Sequence, residues 1–275
     1  MTTPRLFRLS LGALLALSSS CASGSLDITT WGEDFIESGI PASTFADGGA
    51  VTYSRFLVNF ADFSVVGGDG ATGGTSAGPA LFDLHKSGPH AITSLSDLPA
   101  RRYEDIAVSV VPATGSPAVT NVDDDAATLM SDNGYAVYVE GSIALDGATK
   151  TFTWGFDTAT RFTDCELEDG SLGVVVPDGS AGEWQLTIHG DHLFYDDLAS
   201  EDAVLRVAAI VGADTDDDGA ITREELAAVD LTTLPADQYG TGGAADVFTL
   251  DGFIADLTRT LVHHTGEGHC TATAL

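Results

Sequence analysis

Between Val51 and Val66 the chain sets Val51, Tyr53, Phe56, Val58, Phe60, Phe63 and Val65 at near-alternate positions of a β-branched and aromatic run. Side chains alternate between two faces along a strand, so this spacing predicts a strand with one face in a core. It is expected as one long strand with a bulge, or as two short ones. "PALFDLH", "EDIAVSVVPA", "YAVYVEGSIAL", "TKTFTWGFDTATRF", "LGVVVP" and "EWQLTIH" follow at short spacing, after a Gly-rich loop at 67–79. Asp146-Gly147 supplies a hairpin turn between two of them. Short strands separated by Gly, Pro and Asp turns, in a chain with 31 Gly, predict a mainly β fold: an antiparallel sandwich or barrel over 22–198. Strand and helix do not alternate regularly, which argues against a doubly wound α/β enzyme.

Beyond residue 198 the spacing becomes helical. "LASEDAVLRVAAIVGAD" reads as a helix with Ser200 as N-cap, "REELAAVDL" as a short helix stopped by Pro235, and "TLDGFIADLTRTLVHH" as a third. The last presents Phe253, Ile254, Leu257 and Leu261 on one face. This divides the C-terminal part into a unit at 199–232 and a helix with tail at 233–275.

Between the first two helices lies "DTDDDGAITREE", Asp214 to Glu225. Calcium takes six to eight oxygens, and a twelve-residue loop delivers them from positions 1, 3, 5, 7, 9 and 12. Those positions are Asp214, Asp216, Asp218, the Ala220 carbonyl, Thr222 and Glu225. Gly219 permits the sharp turn and Ile221 packs inward. The segment resembles the EF-hand family over about 30 residues. Without an ion its six carboxylates, counting Asp217 and Glu224, repel one another and loosen the segment. Sensor EF-hands expose a Met-rich groove, whereas this chain has two Met and no second loop; "TLDGFIADL" lacks the other acids. The expected role of calcium is a structural staple.

Charge and termini bound the setting. With 41 Asp+Glu against 11 Lys+Arg, the net charge of -30 excludes nucleic acid and disfavours anionic lipid surfaces. "MTTPRLFRLSLGALLALSSSCASG" has two Arg, a short apolar run and then small residues, the layout of an export signal over 1–21. Cys21 resembles the lipidated cysteine of bacterial lipoproteins, with Ser18 where those signals usually carry Leu. Cleavage after Ala22, with Ser20 as the other small residue, is the alternative. A lipid on Cys21 is the one membrane contact expected. Cys165 and Cys270 are then an even pair in an oxidising compartment and are expected to form a disulfide. Closing a loop of about 100 residues contributes ~4–5 kcal/mol in the chain-entropy account.

Histidines crowd the C-terminal third: His189 and His192 in "LTIHGDHLFYDD", and His263, His264 and His269 in "LVHHTGEGHC". A turn at Gly190-Asp191 lets the first pair converge. The disulfide would pin His269 against the β domain. A second metal site is therefore expected from His189, His192, one of His263 and His264 (His264 in the preferred set) and His269. Asp191 or Glu267 serves as carboxylate ligand or partner, and copper or zinc is the ion. The strand-rich, exported layout around "GYAVYVEGSIALDGATKTFTWGF" is similar to the periplasmic copper-binding MbnP-type proteins over about 150 residues. That resemblance implies copper held by His and an oxidised Trp, and a haem peroxidase partner. None of Trp31, Trp154 or Trp184 lies two residues before a His, and Trp184 stands five before His189.

"GTSAG", Gly74 to Gly78, fits the serine-hydrolase elbow with Ser76 as nucleophile. That elbow needs a strand directly before the serine and a helix directly after. Here a Gly-rich run precedes it and Pro79 follows, so the motif is read as a chance match and no catalytic residue is assigned. The expected function is an exported calcium-binding module of the cell envelope with an unidentified protein or envelope partner. A copper- or zinc-binding protein is the alternative, and a serine hydrolase acting through Ser76 the remote one.

Overall fold

The computed structural model describes residues 22–275, apart from 71, 77, 116 and 201. The export signal and Cys21 lie outside the described residues. In chain order the strands begin with β1 Ser23–Trp31, β2 Ala50–Val66, β3 Thr72–Ser76, β4 Ala80–Asp83 and β5 His90–Pro99. Next come β6 Arg101–Tyr103, β7 Asp105–Val110, β8 Ala118–Val119, β9 Val137–Leu145, β10 Ala148–Phe156 and β11 Thr160–Glu166. The last are β12 Val174–Val176, β13 Ala181–Ile188, β14 Ala220–Ile221, β15 Val262–His264 and β16 His269–Ala274. Helices are α1 Glu33–Glu37, α2 Asp124–Asn133, α3 Ala208–Val211, α4 Arg223–Ala228 and α5 Leu250–Leu257. Among the described residues no helix is long and apolar enough to cross a membrane.

The fold is mainly β, as expected. One sheet runs β15-β13-β1-β5; the larger curls through β14-β10-β9-β2-β7-β11-β16, with β3, β4 and β8 on its flank. Their facing sides share one apolar core, where Phe63 of β2 meets the Trp184 ring of β13 edge-on at 6.1 Å. Most pairings are antiparallel, but β1 with β13, β4 with β8 and β10 with β14 are parallel. Strand β2 is continuous, with register shifts at Tyr53/Arg55 and Ala61/Ser64. The β9–β10 hairpin turns on Asp146 (φ 53) and Gly147 (φ 83), the left-handed pair such a turn needs.

Three parts of the chain differ from expectation. The helical stretch expected within 198–214 shrinks to α3, because carboxylates already hold several of its backbone N–H groups. Asp197 accepts from Ala199 and Ser200, Asp196 from Val204, and Asp47 from Val207 and Ala208. Ser200 thus accepts from Asp202 in a turn and caps no helix. Second, α2 stands where no helix was predicted, capped by Asp123 and ended by Gly134 at φ 65. Third, the tail after α5 is strand: β15 joins β13 and β16 joins β11, so the C-terminus reaches into both large sheets. The Cys165–Cys270 disulfide fixes β16 to β11.

Candidate metal centres

Strand β13 ends at Ile188, and His189 leads into a tight turn at Gly190–Phe194. A Cβ on Gly190 would sit 2.6 Å from Ile36 Cγ1, so a side chain here would push Ile36 aside. Tyr53 donates its hydroxyl to the Gly190 carbonyl at 2.6 Å and anchors the turn. The turn brings the His189 and His192 rings to 5.3 Å. Strand β15 lies beside β13, with His263 opposite Thr187. The His263 ring stacks 4.0 Å from His189 and meets His192 edge-on at 4.9 Å. One ring nitrogen from each of the three lies within 4.8 Å of the others.

His264, which stood in the expected set, belongs elsewhere. Consecutive strand residues face opposite ways, so it turns from the cluster and donates from Nε2 to the Gly173 carbonyl at 3.2 Å. His269 is exposed; its ring lies 5.0 Å from that of His263, outside the converging group.

Hydrogen bonding fixes which nitrogens carry lone pairs. The Gly266 carbonyl accepts from His189 Nε2 at 3.3 Å, so Nδ1 is the nitrogen left to face an ion. Thr260 gives its hydroxyl proton to the Leu257 carbonyl at 2.9 Å. It must therefore accept from His192 Nδ1, also at 2.9 Å, which leaves Nε2 of His192 free. The Glu267 main chain bonds the His263 ring, whose Nδ1 is buried with no partner. Burial holds His192 down to about 3 and His263 down to about 2, with neighbouring imidazoles adding to both shifts. In neutral water both are unprotonated, the form that binds metal.

Carboxylates crowd one side. Glu33 Oε2 stands 3.6 Å from His189 Nε2, and Glu267 Oε2 stands 4.0 Å from Nδ1. Glu33 is a left-handed residue at φ 54, a strained conformation for a non-glycine. Asp191 is buried and its Oδ1 has no partner. Burial raises both Glu33 and Asp191, and repulsion from Glu267 adds to each. Sequence reasoning named Asp191 and Glu267 but missed Glu33, which lies far away in the chain. A cavity of about 470 Å³ adjoins the cluster, walled by His192, Tyr195, Arg259, His263, Glu267 and His269.

The acidic loop is a separate centre. One carboxylate oxygen each from Asp214, Asp216 and Asp218 lies within 4.8 Å of the others. Gly219 takes φ 84 and its N–H bonds Asp214 Oδ2 at 3.1 Å. Lys150 Nζ sits 2.8 Å from Asp214 and holds its carboxyl below the usual range. Ala220-Ile221 forms β14, paired with Thr151-Phe152 of β10, and Trp154 Nε1 donates to the Ile221 carbonyl at 2.8 Å. Glu225 Oε2 accepts from the Thr222 N–H and hydroxyl, both at 2.8 Å, in a capping box that starts α4. Ser76 closes β3 opposite Phe63, and the next element is strand β4.

No family model matches the chain, and no curated protein matches it. Among solved structures, MbnP from Methylosinus trichosporium matches at 12% identity and a TM-score of 0.34, over 62% of this chain and 76% of that one.

Proposed function

We propose that this chain is an exported metal-binding protein of the cell envelope in which calcium at the acidic loop acts as a structural staple. Asp214, Asp216, Asp218, the Ala220 carbonyl, Thr222 and Glu225 would supply the oxygens. The observation that carries the reading is the pairing of β14, the middle of the loop, with β10 of the large sheet. In this chain the loop leans on its own β domain. Downstream, Arg223 of α4 pairs with Asp251 of α5 at 2.6 and 2.9 Å, and α5 leads through a short turn to β15 and His263. Fastening the loop therefore fastens the path to the histidines. The export-like N-terminus and the disulfide support the setting; the partner there is an envelope protein or ligand, and no catalysis is proposed.

Thermal melting in calcium and in chelator tests this. A ligand at about a hundred times its Kd adds ~2.7 kcal/mol, so calcium should raise the Tm of the wild type and not that of Glu225→Gln. A wild-type Tm indifferent to calcium contradicts the staple.

A second reading, a copper- or zinc-binding protein, is favoured by two orphaned atoms in one place: Nδ1 of His263 and Oδ1 of Asp191. Buried polar atoms without partners are rare, and a cation among His189, His192 and His263 would satisfy the imidazole directly and the carboxylate through its charge. Elemental analysis of exported protein should find transition metal in wild type and His264→Ala but not in His192→Ala. Metal-free wild type contradicts it.

A further inference from the structure

Resting on the second reading, we propose that the ion held by His189, His192 and His263 keeps one exchangeable position turned into the adjoining cavity, where a small monoanion with a single donor atom binds. Closed structural sites bring four protein ligands to a tetrahedral ion, whereas three leave a position for solvent or an exogenous ligand. Only three imidazole nitrogens converge among the described residues. His264 faces away toward Gly173, and His269, though near His263, is exposed and outside the group.

The open side is identified by the walls. His192 and His263 line the cavity, while His189 does not. Glu33 attends His189 instead. At about 470 Å³ the space exceeds what one water fills and admits a ligand of several atoms.

The wall chemistry selects the ligand class. Imidazole ligands carry no charge of their own and leave that of the ion uncancelled, and Arg259, ion-paired with Asp256 at 3.3 Å, borders the same wall. Tyr195, its ring 4.5 Å from His192, brings a phenol. Glu267 is on that wall too, and Asp191 and Glu33 lie near His189. These carboxylates offset much of the positive charge, which limits the guest to a single negative charge.

The test uses the full chain, calcium-saturated and loaded with cobalt(II), and follows visible absorption while azide is added. Wild type should bind cobalt in a histidine-dependent manner, lost in His192→Ala, and azide should shift its bands saturably. Ala203→Trp and Ser200→Trp, both filling the cavity, should keep the cobalt bands and lose the azide response. Cobalt bands that azide leaves untouched in wild type overturn the open position while the metal reading survives. An azide response undiminished in both filling variants overturns its placement in the cavity. No cobalt bound at the histidines removes the metal reading and this inference together.

Discussion

In the acidic loop, Asp214, Asp216 and Asp218 come from five consecutive residues, whereas His189, His192 and His263 come from two strand ends brought together by the β13–β15 pairing and by bonds to Thr260 and Leu261. The oxygens of the loop are hard; those of Asp216 and Asp218 are open to water, while Asp214 is buried with a lysine against it. The imidazoles are softer and buried, and each has a nitrogen already committed to a protein hydrogen bond. A site built locally can take its shape before the rest of the chain folds, and its cost without an ion is charge repulsion. A site built by sheet pairing exists only in the fold, and its cost without an ion is orphaned buried atoms. The two should therefore differ in metal, in response to mutation and in dependence on tertiary structure.

The largest expected effect is selectivity between the centres. Glu225→Gln should abolish the calcium shift in Tm yet leave one equivalent of transition metal at the histidines, while His192→Ala should do the reverse. Metal titrations on both variants check this; a variant that loses both ions breaks the comparison. A smaller effect is expected at Asp191. Loss of a carboxylate hydrogen-bonded to a ligating histidine weakens a metal about 10- to 100-fold; Asp191 acts on His189 through charge alone, so Asp191→Asn should weaken transition-metal binding by no more than the low end of that range. The same change relieves a buried carboxylate with one orphaned oxygen, so the metal-free Tm should stay equal or rise. The smallest effect concerns Lys150, whose ammonium sits on Asp214 and would compete with calcium for it. Lys150→Met should strengthen calcium binding several-fold by calorimetry and lower the calcium-free Tm.

How far the sequence shows these features depends on how local they are. Strand β2, the Asp146-Gly147 hairpin and the convergence of Asp214, Asp216 and Asp218 are written in contiguous residues and were legible. Strand β5 was not, because only Leu95 and Leu98 are buried among its ten residues, too few to set a period. In α2 only Ala126 and Met130 are buried, so the helix is specified mainly by its caps. The stretch before α3 has helical spacing, but Asp47, Asp196 and Asp197 capture its backbone from outside any local pattern. At the histidines, residue types and the Gly190 turn were readable. The choice between His263 and His264 was not, because a three-residue strand reveals which side faces in only once its partner is known. Glu33 reaches His189 through a left-handed backbone conformation that composition does not announce.

The central claim is that calcium binds the acidic loop to the β domain, and it rests on one junction. The Thr151 N–H donates to the Gly219 carbonyl at 2.8 Å, across the seam between β10 and the loop. Amide hydrogen exchange at Thr151, followed in calcium and in chelator, measures that seam directly. Slow exchange in calcium, accelerated by chelator while the amides of β9 keep their protection, is the predicted result. Identical exchange at Thr151 under both conditions would contradict the account.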